Sequence, residues 1–278
     1  MINIMKKINL ILASAITVLM LASCVTATRV PITGRKQRLS VSDEQMLSLS
    51  ASQYKEYLGS AKKSTNAKNT AMVQRVGQKL ANAVITYLNN NGYAHEVKNY
   101  AWEFNLVQSN SVNAFCMPGG KIVVFEGMLP VTQDEASLAI VLGHEIAHAV
   151  AKHSAEQMSK QKNQSILASL GTSILAAKAG KETAELASSV ASTGLTFLNA
   201  HYSRDNESEA DHMGLIFAAM AGYNPNTAIT FWQRMSQTSG GGSSSLLQTY
   251  LSSHPSDAKR MADIKRWLPE AMKYYQAK

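Results

Sequence analysis

Cysteine is nearly absent from this chain, with only Cys24 and Cys116 among 278 residues. Two thiols exclude a disulfide framework, so the fold must rest on its apolar core. Long apolar runs are missing too. In the body of the chain two apolar stretches, Ile166 to Ala177 and, less purely, Leu186 to Leu198, are separated by Lys178, Lys181, Glu182 and Glu185. Neither reaches the ~20 residues that a membrane span needs, so both are expected to be buried helices. No stripe of basic and aromatic residues and no nucleic-acid module occurs, which removes nucleic acid from the expected partners. No internal repeat is visible, which excludes an obvious solenoid. What the chain does have is 45% apolar residues, enough at this length for one domain with a full core.

The N-terminus reads as an export signal. Lys6 and Lys7 form a basic start, Ile8 to Leu21 an apolar stretch, and Leu21-Ala22-Ser23-Cys24 a small-residue cleavage site. The last four residues resemble the bacterial lipobox, which implies cleavage after residue 23 and a lipid on the sulfur of Cys24. Lipid chains contribute ~0.8 kcal/mol per buried methylene and would hold the protein on a membrane surface. Val25 follows, and no Asp resembling an inner-membrane retention signal is present, so the expected location is the outer membrane, facing the periplasm. The expected domains are a signal peptide at 1–23, a lipidated Cys and tether at 24–40 containing Pro31 and Gly34, and a single domain at 41–278. The formal charge is +8, from 27 Lys and Arg against 19 Asp and Glu. Losing Lys6 and Lys7 leaves 25 against 19, or +6, a surplus that serves solubility first and attraction to anionic headgroups second.

Helices are expected over about Ser42 to Leu58 and Asn66 to Asn90, the latter from Val73, Val76, Leu80, Val84 and Leu88 at three- and four-residue spacing. Trp102, Phe104 and Leu106 alternate with Glu103 and Asn105 as in a half-buried strand, and Lys121 to Phe125 reads as a second. With Pro118-Gly119-Gly120 as the turn between them, a small antiparallel sheet beside helices is expected. Thr132-Gln133-Asp134-Glu135 has the form of a capping box opening a helix of roughly 25 residues. Ser236 to Ser245 is expected to be a flexible loop, and Ser256 to about Gln276 another helix. The fold class is therefore α+β, mostly helical.

The long central helix carries His144-Glu145-Ile146-Ala147-His148. Positions i and i+4 share a face, so both imidazoles can reach one zinc at ~2.0–2.1 Å. Glu145 would stand beside the metal and take a proton from a water whose pKa zinc lowers to about 7, as that water attacks a carbonyl. Glu145 is thus expected to be the general base and not a ligand. A third ligand is required. The metzincin pattern needs Gly at 151 and His at 154, where Ala151 and Ser154 stand, so that class is excluded. A deformylase-like Cys ligand would have to be Cys116, whose surroundings match poorly. Downstream, Glu207 and Asp211 lie i and i+4 on one helix face, while Glu209 is rotated about 200° from Glu207. Glu207 would bind the metal and Asp211 would accept the outer N–H of a ligand His. Glu182 and Glu185 lack such a supporter.

These motifs, with Tyr202-Ser203-Arg204 before Glu207-x-x-Ala210-Asp211 and with Asn113-Ala114-Phe115 before Pro118-Gly119-Gly120, resemble the HtpX-like and CaaX-prenyl-protease-like gluzincin metallopeptidases. His254-Pro255 followed by Arg260 is similar to that family's C-terminal signature, and Arg29-Val30-Pro31-Ile32-Thr33-Gly34-Arg35 to the start of its periplasmic LoiP-like lipoprotein branch. The resemblance implies a zincin-like domain, one Zn2+ per chain on His144, His148 and Glu207, and unfolded polypeptides as substrates. It implies an edge strand carrying Asn113, Ala114 and Phe115, with Gly119 nearby, that takes an extended substrate by β-augmentation. The transmembrane helices of the family's membrane members are absent, which counts against prenylated substrates.

The oxyanion donor stays open at this point: His254 is one candidate, with His201 and Tyr202, and a cap or turn role is its alternative. Arg204 or Arg260 would pair with Asp211. His153, at i+5 from His148, is expected to leave the ligand face, toward solvent or a local partner, and His95 and His212 are expected to be structural. The expected function is a zinc endopeptidase for misfolded envelope proteins. The alternatives are a latent lipoprotein that acts as a chaperone or scaffold in outer-membrane protein assembly, and a zinc that is structural.

Overall fold

The computed structural model describes residues 26–164, 197, 202–239, 250–254 and 258–276. The signal peptide, Cys24, the helices expected between Ile166 and Leu198, His201, Pro255 and most of the glycine-serine segment lie outside the described residues.

The chain enters as an antiparallel hairpin, β1 (Thr26–Arg29) and β2 (Lys36–Leu39), registered Thr26 to Leu39 and Arg29 to Lys36. This overturns the expected tether at 26–40. Pro31 and Gly34, which suggested loose chain, form the turn that closes the hairpin, with Gly34 in the left-handed region at φ +66°. Val30 and Leu39 are buried, and the Gln37 amide donates to the Ala151 carbonyl at 2.9 Å. The segment is therefore pinned to the domain.

Two helices follow. α1 (Asp43–Ser60) starts on a capping box between Ser42 and Gln45, and α2 (Ala67–Asn90) is capped by the Asn66 side chain on Asn69 N–H. The five spaced apolar residues of α2 are all buried, as their period requires.

The sheet has three strands, β3 (Glu103–Val107), β4 (Ala114–Met117) and β5 (Lys121–Phe125), in the order β3-β5-β4. It is mixed, not wholly antiparallel: β4 and β5 form the antiparallel hairpin through Pro118-Gly119-Gly120, while β3 lies parallel to β5 on its far side. The expected pairing skipped β4 because Ala114, Phe115, Cys116 and Met117 are all buried and show no period-two alternation. Among the described residues β4 has a strand on one side only, so it is one of the sheet's two edges, with β3 the other.

After the short helix α3 (Leu129–Thr132), the motif helix α4 runs Glu135–Val150. No capping box forms at Thr132. That residue ends α3, Gln133 turns the chain with φ +67°, and Asp134 caps α4 by accepting from Ser137 N–H at 2.7 Å. Glu135 pairs instead with Arg75. α4 is buried almost all round, and it has 16 residues instead of about 25. It stops at Ala151, and Lys152 takes φ +56° before residues 153–164 resume helix. The Lys152 ammonium spans Asp43 and Glu96 at 2.8 Å each, which holds this left-handed turn in place.

α5 (Arg204–Met220), capped by Ser203, packs across α4; α6 (Thr227–Ser239) and α7 (Ala258–Ala271) cover the pair. Residues 236–239, expected to be loop, are helical. No described helix is long and apolar enough to cross a membrane.

The α4–α5 crossing is made by glycines. A Cβ on Gly143 would stand 2.8 Å from the Gly214 carbonyl oxygen, and one on Gly214 would stand 2.8 Å from the His144 amide nitrogen. Backbone cannot step aside as a side chain can, so both helices would have to part. Gly214→Ala is expected to cost about 1–3 kcal/mol in urea unfolding followed by circular dichroism; a midpoint unchanged from wild type would disprove the close crossing.

Candidate metal centre

Glycine at 143 and 214 places the two chemically active helix faces against each other. α4 presents His144, Glu145 and His148, and α5 presents Glu207 and Asp211, all buried. Four donor atoms converge from His144, His148, Glu207 and His254. His144 Nε2 lies 3.0 Å from His148 Nε2 and 3.1 Å from His254 Nδ1. Glu207 Oε2 lies 3.3 Å from His144 Nε2 and 2.9 Å from His254 Nδ1, and its Oε1 is 3.3 Å from His148 Nε2.

The outer bonds decide what these atoms can do. His144 Nδ1 donates to Asp211 Oδ1 at 2.8 Å, and Arg260 Nη2 donates to the same oxygen at 2.7 Å. With its Nδ1 proton committed, a neutral His144 turns a bare Nε2 inward. His148 Nδ1 faces His153 Nδ1 at 2.8 Å, which likewise leaves His148 Nε2 for the centre. With both rings neutral, two lone pairs 3.0 Å apart beside a carboxylate would repel, so the arrangement calls for a cation between them, a proton or a metal. Glu207 Oε1 is also buried without a hydrogen-bond partner among the described residues. The donor set, two imidazoles and a carboxylate with a third imidazole, suits a divalent metal of zinc's type, whose tetrahedral ligand atoms stand about 3.3 Å apart.

The protonation of the metal-free centre follows from burial and charge. Burial would lower the pKa of His144, but Asp211 and Glu207 outweigh it and raise it to about 9. His148 goes the other way, because burial dominates and keeps the ring neutral. For Glu207, burial would raise the pKa, yet His254, His148 and His144 hold it well below the usual carboxylate range. Burial raises that of Glu145 despite the surrounding cations, which makes it a better proton acceptor than an exposed carboxylate. Glu145 Oε1 lies 3.5 Å from His254 Nε2 and has no hydrogen bond among the described residues.

Of the residues singled out by sequence, His144, His148, Glu207, Glu145, Asp211 and Arg260 come together. His254 joins them at the centre, where its Nδ1 is the fourth of the converging donors. Arg204 is exposed at the start of α5, and the pairing with Asp211 falls to Arg260, whose guanidinium also lies over the Trp232 ring at 3.6 Å. Cys116 is buried in β4 and is not among the converging donors. Asn113, Ala114 and Phe115 lead into and form the edge strand, which packs on α4, and Gly119 lines a cavity that reaches His148.

Sequence reasoning missed His153 and Glu209. His153 is fully buried, donating from Nε2 to Glu209 Oε2 at 2.9 Å while touching His148. The i+5 argument fails because the left-handed turn at Lys152 rotates the following residues back toward the centre, and nothing in Ala151-Lys152 announces that turn. Tyr202, considered only as an oxyanion donor, stacks on His148 with ring centroids 4.1 Å apart and is tied by its hydroxyl to Ser154 at 2.7 Å. His95 is exposed beside Glu96, and His212 stacks on Trp267 and bonds Glu270, both away from the centre.

The pattern of peptidase family M48 matches residues 67–268. "Mitochondrial metalloendopeptidase OMA1" of Schizosaccharomyces pombe is 39% identical over 171 residues, 61% of this chain and 48% of that protein. The human "Metalloendopeptidase OMA1, mitochondrial" is 30% identical over 245 residues, 87% of this chain and 46% of that protein. The "Beta-barrel assembly-enhancing protease" of Escherichia coli is 29% identical over 177 residues, 62% of this chain and 35% of that protein. The chain thus spans about half the length of the mitochondrial relatives and less of the bacterial one.

Because His144 holds a proton up to about pH 9 in the metal-free centre, binding a metal must displace it. The sign is therefore that affinity falls with falling pH, by about tenfold per unit for the one proton released. Competition with a chromophoric zinc chelator from pH 6 to 8 should give that slope; an affinity independent of pH would rule out the protonated His144.

Proposed function

The chain belongs to peptidase family M48, and on that premise we propose that it is a zinc endopeptidase, anchored by lipid at Cys24 to the outer membrane and facing the periplasm, that hydrolyses unfolded or misfolded envelope proteins. The observation that carries the reading is the convergence of His144, His148 and Glu207 beside a buried, unpaired Glu145 oxygen. Within the family, the sequence resembles the HtpX-like group and its periplasmic lipoprotein branch. The name of the Escherichia coli relative supports envelope substrates and assembly partners in the outer membrane.

A zinc held by these residues supplies Lewis-acid chemistry, polarising a peptide carbonyl and acidifying water. The chain's own residues do the rest. Asp211 and Arg260 orient His144, and His153 and Tyr202 orient His148. Glu145, with its pKa raised by burial, accepts the proton from attacking water and can return it to the leaving amine. The edge strand β4 offers backbone hydrogen bonds to an extended polypeptide, which gives affinity with little demand on side chains. The cavity lined by Met46, Leu47, Tyr100 and Lys152 beside His148 is placed to receive one substrate side chain.

His254 favours a second reading of the same centre, a resting state. Four protein donors are the signature of a closed site, whereas a catalytic one keeps a corner open. The corner that His254 fills is also the one Glu145 faces, so withdrawing that imidazole would open the position a base could serve. The latent chaperone or scaffold alternative corresponds to a chain in which His254 does not withdraw.

Glu145→Gln is expected to lower cleavage of unfolded casein by at least about a hundredfold while zinc, quantified on the same sample, stays bound; unimpaired cleavage would defeat the mechanism. His254→Ala should keep its zinc on three donors and cleave casein faster than wild type. A fall of about a hundredfold in kcat with zinc retained would instead return the oxyanion role to His254, and loss of zinc with unfolding would mark the metal as structural.

A further inference from the structure

We infer that Arg35, on the N-terminal hairpin, is a positioning residue of the metal centre, acting through Glu209 and His153 on the orientation of His148. The inference rests on the reading of His144, His148 and Glu207 as metal donors.

The contacts run without a gap from the hairpin to the centre. Arg35 donates to Glu209 through Nε, at 2.9 Å to Oε2 and 3.1 Å to Oε1, and its Nη2 lies 2.7 Å from Oε2. The Thr33 hydroxyl, from the same turn, donates to Glu209 Oε1 at 2.5 Å. Glu209 Oε2 accepts from His153 Nε2 at 2.9 Å, and His153 Nδ1 meets His148 Nδ1 at 2.8 Å. Arg35 and Glu209 are 174 positions apart in the chain, so only the fold joins them.

Proton bookkeeping gives the chain a direction. The His153 nitrogen that faces a carboxylate carries the proton, which leaves the other nitrogen of a neutral ring as an acceptor. The two facing Nδ1 atoms share one proton, and it must then come from His148. That fixes His148 as the tautomer whose Nε2 lone pair points at the other donors. On the opposite side Arg260 and Asp211 do the same for His144 with one link fewer. Each helical histidine is therefore oriented by a carboxylate, and each carboxylate by an arginine.

Arg35 also grips the element that carries His153. Its second guanidinium nitrogen donates to Glu156 Oε2 at 2.9 Å, and Glu156 belongs to the helical residues 153–164. One guanidinium thus ties α5, through Glu209, to the turn that returns His153 to the centre. Arg35 is a third exposed at its side chain while Glu209 and His153 are buried, so it can be changed without opening a cavity in the core.

The test is zinc affinity of the full chain, measured by competition with a chromophoric chelator, with circular dichroism as the check on folding. Arg35→Ala and Glu209→Gln should each weaken zinc by about tenfold to a hundredfold with the spectrum unchanged. The double variant should be no weaker than the worse single one, because both break the same chain. Arg75→Ala, which removes an ion pair to Glu135 remote from the centre, should bind zinc like wild type. If Arg35→Ala fails to fold, Arg35→Lys keeps the charge but loses the fork and should still weaken zinc measurably. Wild-type zinc affinity in Glu209→Gln and in either Arg35 variant would overturn the inference alone. A wild-type chain that holds no zinc would overturn the metal reading beneath it.

Discussion

The backbone contact between Gly143 and Gly214 is the constraint on which the centre depends. Each glycine is adjacent to, or one turn from, a residue of the site: His144 follows Gly143, and Asp211 lies three positions before Gly214. With Cβ atoms forbidden at the crossing, α4 and α5 approach closely enough for His144 and Asp211 to bond directly at 2.8 Å. A wider crossing would put water between them. The metal donors would then lose the bond that fixes their tautomer, and the buried carboxylates would lose the partners that compensate their desolvation.

Burying this many ionisable groups is unfavourable unless every one is paired. The protein solves it with two arginines, each brought from a distant part of the chain. Arg260, from α7, neutralises Asp211 while lying on Trp232, and Arg35, from the entering hairpin, spans Glu209 and Glu156. Burial would raise the pKa of both of these last carboxyls, yet hydrogen bonds from Arg35 and its neighbours hold each at about 2. The N-terminal residues are in this sense part of the centre's electrostatics, although the motif helix begins only at Glu135.

His254 is the fourth of the converging donors. A fourth protein donor favours metal retention, because no open position remains for a competing ligand, while the same donor denies the base its reactant. Its place at the end of the helical residues 250–253, with its carbonyl bonded to Arg260 at 3.3 Å, links it to the residue that also supports His144.

Three of the four converging donors, His144, His148 and Glu207, were legible in the sequence, because on one helix a spacing of four residues is a distance and a direction at once. The same rule paired Glu207 with Asp211, and the period of α2 announced its buried face. Local rules failed where the chain reverses. The left-handed turn at Lys152 returned His153 to the centre, and β4, buried along its whole length, carried no alternation by which to recognise a strand or to place it between turn and edge. The tether expected before residue 41 became a hairpin because Val30, Gln37 and Leu39 find partners in the domain that only the folded chain supplies. Sequence alone thus determined the helical donors His144, His148 and Glu207 but not His254, since helical geometry is set within a few residues. Tertiary structure decided how those atoms are oriented, charged and closed off, since a proton's position on a buried imidazole depends on carboxylates and arginines that approach through space and not along the chain.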